Sequence, residues 1–386
     1  MSLWTNGNSL QLLNGDEYFQ EFFQALSNAK EEINVETYIL TEDEIGNEFI
    51  DKLLQARKRG VKVFLVIDGV GSSDLSTECI EKMQKAGIQL RIFRPYSKLH
   101  KLREIFLKRL HRKVSVIDKQ IAFVGGINIS LNQSSRFGKD CLLDYAVSVK
   151  GPAVGHIHRS LESFFRRLTQ GWKRFAHFYK RKPDLKIPNA GNMRAAFILR
   201  DNIFHRRAIE DQYFDAIRNA QTDILMANAY FLPNFRIRHA LKKAARRKVK
   251  IGLIVQGNAE FWFLKRATRA LYRSFLKSGI EIYEYEKAIL HAKVAAIDGN
   301  WATVGSSNLE PFSLFLNLEA NMVIENSEFA QNLTKRLENE LKEGATKINA
   351  QAFLSSSKFQ RLLDRLCFIF LQGLTGLLKL LPQKQI

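Results

Sequence analysis

His111-Arg112-Lys113-Val114-Ser115-Val116-Ile117-Asp118, followed six residues later by Gly125-Gly126-Ile127-Asn128, decides how this chain is read, because it occurs twice. The second copy is His291-Ala292-Lys293-Val294-Ala295-Ala296-Ile297-Asp298, then six residues, then Gly305-Ser306-Ser307-Asn308. A single His-x-Lys is most often a surface pair. Two copies with matched aspartate, glycine and asparagine spacing are not a chance event. Histidine and lysine two apart on a strand point to one face. The apolar residues that follow continue the strand, Asp118-Lys119-Gln120 and Asp298-Gly299-Asn300 predict turns, and a second strand returns the glycines towards the histidine.

Working outward, the duplication extends on both sides. Tyr18-Phe19 and Ala25 to Ala29 are answered by Tyr213-Phe214 and Ala216 to Ala220; Ala56 to Val63 by Ala245 to Ile251; Gly87-Ile88 by Gly279-Ile280. Gly87 stands 24 residues before His111 but Gly279 only 12 before His291, so the first copy carries a basic insertion around Ser97 to Leu110. Residues 17–29 and 47–59 have helical periodicity, and 33–40 and Val61 to Ile67 read as strands; helix 236–247 precedes strand Lys250 to Val255 in the second copy. This alternation predicts an α/β fold. Residues 1–182 and 193–345 are expected to form the two domains, with a linker over Lys180 to Asn192 and a separate tail over 346–386.

The chemistry expected of the paired motifs is attack on a phosphodiester. One histidine attacks phosphorus and splits the displacement into two steps. The other protonates the leaving oxygen and deprotonates the incoming one, help typically worth about 10²–10⁴-fold. Lys113 and Lys293 stabilise charge on the phosphoryl oxygens. Asn128 and Asn308 are expected to donate to those oxygens, and Gly125, Gly126, Gly305 and Ser306 to let backbone N–H groups approach the anion. A carboxylate on the other ring nitrogen holds a histidine in the right tautomer. Asp144, 33 residues past His111, and Glu319, 28 past His291, are the expected orienting acids. Glu36 and Tyr38 are candidates for a supporting role. The mechanism requires no metal or cofactor. His100, His156, His158, His177, His205 and His239 lack the pattern and read as surface or core residues.

These residues resemble the HKD motifs of the phospholipase D superfamily. Trp301 to Pro311, Asn317 to Asn321, Ile121 to Ile129, Asp144 to Val147 with Gly151 to Val154, and Ala227 to Phe231 resemble bacterial cardiolipin synthases, particularly the shorter B type, over roughly residues 8–345. The resemblance implies two tandem repeats, each a mixed, mostly parallel sheet flanked by helices, packed about a pseudo-two-fold axis. It implies catalytic roles for His111, Lys113, Asp118, His291, Lys293 and Asp298, with His111 as nucleophile and His291 as acid and base. It also implies transfer of a phosphatidyl group from phosphatidylglycerol to a second phosphatidylglycerol, giving cardiolipin and glycerol. Hydrolysis, or nuclease action by the same superfamily chemistry, is the alternative. Glu310-Pro311-Phe312 departs from the family's usual Asp-Pro, and Asp68, which fits the family, has Gln256 as its repeat partner.

The 386 residues carry a formal charge of +20, which predicts an anionic partner. Both nucleic acid and an acidic membrane surface satisfy that; the apolar tail Leu366 to Leu381 favours the membrane, so no nucleic-acid partner is expected. No run reaches the roughly 18 apolar residues of a spanning helix, and the tail reads as an amphipathic segment lying on the bilayer. Three scattered cysteines predict neither disulfides nor a zinc site. The expected location is peripheral, on the cytoplasmic face of the bacterial membrane, with anionic phospholipid as partner.

Overall fold

The structure is a computed structural model that describes residues 4–95, 108–170, 187–202, 204–258 and 262–380. The first half supplies strands β1 (Trp4–Leu13), β2 (Glu32–Thr37), β3 (Lys62–Asp68), β4 (Gln89–Phe93), β5 (Lys113–Ile117), β6 (Ile121–Gly125), β7 (Leu142–Leu143) and β8 (Ala146–Lys150). Its helices are α1 (Gly15–Asn28), α2 (Glu44–Lys58), α3 (Thr77–Lys85) and α4 (Ala153–Gln170). The second half supplies β9 (Met193–Arg200), β10 (Asp223–Asn228), β11 (Lys250–Gln256), β12 (Glu281–Tyr285), β13 (Ile289–Leu290), β14 (Lys293–Ile297), β15 (Trp301–Gly305), β16 (Glu319–Glu325) and β17 (Ala345–Lys347). Its helices are α5 (Ala208–Asn219), α6 (Phe235–Arg246), α7 (Trp262–Leu276), α8 (Pro311–Phe315), α9 (Ser327–Gly344), α10 (Ala350–Leu354) and α11 (Lys358–Leu380).

Fifteen strands form one sheet. From the junction outward the first half reads β1-β8-β6-β5-β2-β3-β4 and the second β9-β16-β15-β14-β10-β11-β12-β17. The two halves repeat the same order and join where β1 pairs antiparallel with β9. In each half only the outer pairs, β2-β3-β4 and β10-β11-β12, are parallel; the others among these strands are antiparallel. The sheet is therefore mixed, but not mostly parallel as expected. The motif strands return through tight hairpins, which make antiparallel pairs without a crossover.

The motif strands lie at the centre of each half. All five residues of β5 and of β14 are buried. One apolar layer spans both halves, joining Val114 and Val116 to Val294 and Ala296 beneath α4 and α9. Separate layers lie beneath α1 and α2 and beneath α5, α6 and α7. Helix ends are fixed locally: Asn14 and Glu17 form a capping box on α1, and Asp43 caps α2 through Gly46 N–H at 2.9 Å.

Of the basic insertion, residues 108–110 fall in the described region, and the expected linker lies mostly outside it, as do His100 and His177. The tail does not leave the body at 346. β17 adds to the sheet as its edge strand beside β12, and α11 buries Cys367 and Leu371 in the core of the second half while Asp364 meets Arg266 at 3.1 Å. Among the described residues no helix is long and apolar enough to cross a membrane.

Candidate active site

Strand alternation aims His111 and Lys113 to one face and Arg112 to the other, as the spacing predicts. Both lysines fold back: Lys113 Nζ donates to the His111 carbonyl at 2.6 Å, and Lys293 Nζ donates to that of His291. The segments preceding the histidines cross between halves. β13 pairs parallel with β7, and His291 N–H donates to Leu143 O at 2.9 Å. In the mirrored arrangement Leu110 bridges Leu318, and His111 N–H donates to Leu318 O at 3.0 Å. Asp68 and Gln256 hold these crossings in place: Asp68 Oδ2 accepts from Leu110 N–H and Gln256 Oε1 from Leu290 N–H, both at 2.9 Å. An acceptor is all that this position requires, which explains why an acid in one repeat matches an amide in the other.

That crossing puts each acid on the other repeat's histidine. Glu319 lies 3.0 Å through each oxygen from His111 Nδ1, and Asp144 Oδ2 contacts His291 Nδ1. Asp144 also lies 3.4 Å from Lys293 Nζ. Asp144 and Glu319 are equivalent in the sheet, each standing two residues before the partner of Gly125 or Gly305. With Nδ1–H given to a carboxylate, Nε2 of each ring carries the lone pair for phosphorus or for a proton.

Burial dominates the electrostatics. It lowers His111 despite Glu319, and with Lys293 pulls His291 down to about 4 despite Asp144. Burial likewise brings Lys113 down to about 7, Glu319 opposing and Lys293 assisting, and lowers Lys293. For Asp144 and Glu319, burial alone would raise the carboxyl; Lys293 with His291, and His111 with Lys113, reverse it and hold each below its ordinary value. The site thus contains two neutral imidazoles, each with an ionised orienting acid.

Several expected roles are corrected. Asp118 and Asp298 do not reach the site. They lie at the far ends of β5 and β14 in hairpin turns, with φ of 51° and 52°. The Asp118 carboxylate accepts the N–H groups of Lys30, Glu31 and Glu32 at 2.8, 2.8 and 2.9 Å, and Asp298 does the same for Gln221, Thr222 and Asp223. Asp118→Ala is therefore expected to cost about 2 kcal/mol of stability in denaturant unfolding while transfer per folded molecule changes less than about twofold; loss of turnover with unchanged stability would contradict this.

The N–H groups of Gly126 and Ser306 are taken by backbone carbonyls rather than offered to an anion. Gly126 N–H donates to Tyr145 O and Ser306 N–H to Ala320 O, both at 3.0 Å. A Cβ on Gly126 would come within 2.3 Å of the Asp144 carboxylate, and one on Gly125 within 2.5 Å of Ala146 Cα. Gly305 is equally tight against Asn321, at 2.2 Å. These positions admit close approach of β8 and β16 and of the orienting acids. Ser306 donates its hydroxyl to Glu319 Oε2.

Glu36 lies on the opposite face from the imidazoles, paired through both oxygens with Arg112, whose guanidinium stacks 4.6 Å over Phe164. Tyr38, one of the two candidates at this strand end, does reach the site: its ring centre is 5.0 Å from that of His111, and Lys113 Nζ is 5.2 Å above it. Asn128 Oδ1 accepts from Ile39 N–H at 3.3 Å, and Asn308 is buried in the equivalent loop. His158 and His205 are held by Glu32 and Asp201, away from the motifs.

Comparison with known proteins places this geometry. A family profile described as "Cardiolipin synthase, PLD-like domain" matches residues 22–168 and 213–341, one segment per half. Cardiolipin synthase B of Salmonella typhimurium is 39% identical over 98% of this chain and 91% of its own length. Cardiolipin synthase B of Escherichia coli K12 is 41% identical over 86% of this chain and 80% of its own. Among solved structures, phosphatidylserine synthase of Haemophilus influenzae superposes with a TM-score of 0.70 at 13% identity, covering 97% of this chain and 95% of that one, a likeness of fold. The chain belongs to the cardiolipin synthase family of phospholipase D-like proteins.

Proposed function

We propose that this protein is a cardiolipin synthase acting through a phosphohistidine. The observation that carries the reading is the pair of histidines oriented by carboxylates from opposite repeats, with both lysines beside them. His111 Nε2 attacks the phosphorus of phosphatidylglycerol and the bond to the glycerol oxygen breaks. His291, protonated as the substrate's negative charge raises its pKa, gives that oxygen a proton. His291 then takes the proton from the hydroxyl of a second phosphatidylglycerol. That oxygen attacks phosphorus, the phosphorus–nitrogen bond breaks, and cardiolipin leaves. Lys113 and Lys293 neutralise the phosphoryl oxygens, with the Asn128 and Asn308 amides as further donors. Incubation with phosphatidylglycerol vesicles and mass spectrometry of the products tests this. Cardiolipin with an equivalent of glycerol is expected; phosphatidic acid alone would make it a hydrolase, and cleavage of DNA without lipid turnover a nuclease.

The same reading places the protein peripherally on the cytoplasmic face of the bacterial membrane. α11 packs one side against the body, yet Phe359, Leu362, Leu366, Ile369 and Phe370 are all more than half exposed on the other. Trp262 at the start of α7 is exposed as well, at 65%. Such a stripe beside a strongly basic body suits insertion into an anionic interface. Leu366→Asp with Phe370→Asp is expected to lower co-sedimentation with phosphatidylglycerol vesicles by about tenfold or more, each lost apolar side chain being worth roughly 1.5–3 kcal/mol. Equal binding of the variant and the parent would remove α11 as the anchor.

A further inference from the structure

Cardiolipin formation brings two phosphates to the enzyme, of which one reacts. On that reading, the other phosphate also needs a place on the protein. Beside His111 the fold collects cations in excess of its carboxylates. Arg200 ends β9 directly opposite Glu319, the acid on His111. Lys108 lies three residues before His111, at most about 10 Å along an extended chain. Arg94 follows β4 against Gly69, next to the Asp68 that holds Leu110. Arg206 donates Nε to Asn202 O at 2.9 Å, and Asn202 donates to Leu316 O at 2.8 Å, on the strand segment that crosses to Leu110.

Two observations mark this cluster as a ligand site. Arg94 Nε and Arg200 Nε are buried donors that find no hydrogen-bond partner among the described residues, although Arg200 is only 3% exposed. Burial, together with Arg94, Arg200, Arg167 and Arg206, pulls the Lys108 ammonium down to about 8. The nearby acids are already shared: Asp68 accepts Leu110, Val70 and Gly71 N–H and pairs with Arg109 at 3.6 Å, Glu319 holds His111, and Asp201 holds His205 at 2.9 Å. Cations held in a partly buried cluster in excess of the carboxylates Asp68, Asp201 and Glu319 cost stability, and an incoming phosphate offsets that cost through charge-assisted hydrogen bonds.

We propose that Arg94, Lys108, Arg200 and Arg206 form a second phosphate subsite that binds the unreacted phosphodiester of the acceptor phospholipid and aims its hydroxyl at the phosphohistidine. The subsite selects an anionic acceptor over water or a neutral alcohol. A general attraction to the membrane surface is a different role, and partitioning of the phosphoenzyme separates the two.

The experiment supplies phosphatidylglycerol vesicles and ethanol together and measures the ratio of cardiolipin to phosphatidylethanol. Both products arise from one intermediate, so lost vesicle binding or slowed chemistry lowers both and leaves the ratio alone. Lys108→Gln with Arg206→Gln is expected to lower the ratio by about tenfold or more, and the charge-preserving Lys108→Arg to keep it near that of the parent. Arg206 is exposed, so Arg206→Gln alone provides a variant without a folding penalty and should move the ratio the same way. An unchanged ratio with cardiolipin still formed overturns the subsite and leaves the enzymatic reading intact. No cardiolipin from the parent overturns both.

Discussion

His111→Ala is expected to lower cardiolipin formation by about 10⁴-fold or more, with no phosphoenzyme trapped on acid quench. Removing the ring removes the atom that bonds to phosphorus, and no neighbour replaces it: Lys113 is committed to the His111 carbonyl and Tyr38 flanks the ring without an oriented base. His291→Ala should be comparably slow on phosphatidylglycerol, because the glycerol oxygen leaves poorly without a proton. It should differ on a donor with a good leaving group, such as a nitrophenyl phosphodiester of the same lipid. There His291→Ala should still form and accumulate the phosphohistidine, which then lacks a base for the second step, whereas His111→Ala should not. Accumulation in His111→Ala instead would exchange the two roles. The folded geometry is nearly symmetric, so this experiment is what assigns the nucleophile.

The second large effect comes from a residue in the opposite repeat. Glu319→Gln should cost roughly 10²–10⁴-fold in kcat with a native thermal transition. Glutamine keeps the shape but accepts weakly and can donate, so Nδ1–H is no longer the preferred tautomer and Nε2 loses its lone pair for part of the population. The same change removes a charge that supports Lys113, which burial already brings to about 7, so the lysine loses more of its positive charge at neutral pH. Asp144→Asn should act alike on His291 and Lys293. Because the acids act across the repeats, Glu319→Gln should block phosphohistidine formation at His111 from the donor with a good leaving group, while Asp144→Asn should allow it. The opposite pattern would show that the acids serve their own repeats. Rescue by Glu319→Asp should be partial, since the shorter side chain loses Ser306 or His111 but keeps the charge.

The paired motifs recur in a fold that spreads their strands through one sheet, and two consequences bear on both variants. The site exists only when both halves are present, because each histidine is oriented from the other side. The buried positions behind it differ between repeats: Glu36 and Arg112 form an ion pair where Ala227 and Ala292 pack in the second half. Apolar packing and a buried ion pair thus serve the same structural place.

Much of this was legible in the amino-acid order. The duplication, the strand that carries His-x-Lys and the hairpin after it follow from local rules: side-chain alternation, turn chemistry and repetition of spacing, while Asp144 and Glu319 stand out as carboxylates that open apolar strand-like runs past each motif. So does the tail's amphipathic character, although its packed side was hidden, since one apolar stripe cannot say which of its residues face protein. What the tertiary structure decided is non-local. Asp118 and Asp298 look catalytic in a linear motif, but their strand carries them five residues from the lysine to catch the backbone before β2 and β10. Gly126 looks like an anion cradle, but it makes room for Asp144. Most consequential, Asp144 and Glu319 serve the histidine that is farther in sequence, because the segments at 110 and 318, and at 143 and 290, cross between halves through backbone hydrogen bonds that no spacing rule encodes. Periodicity along a chain determines which face a side chain takes; only the pairing of distant strands determines what it meets there.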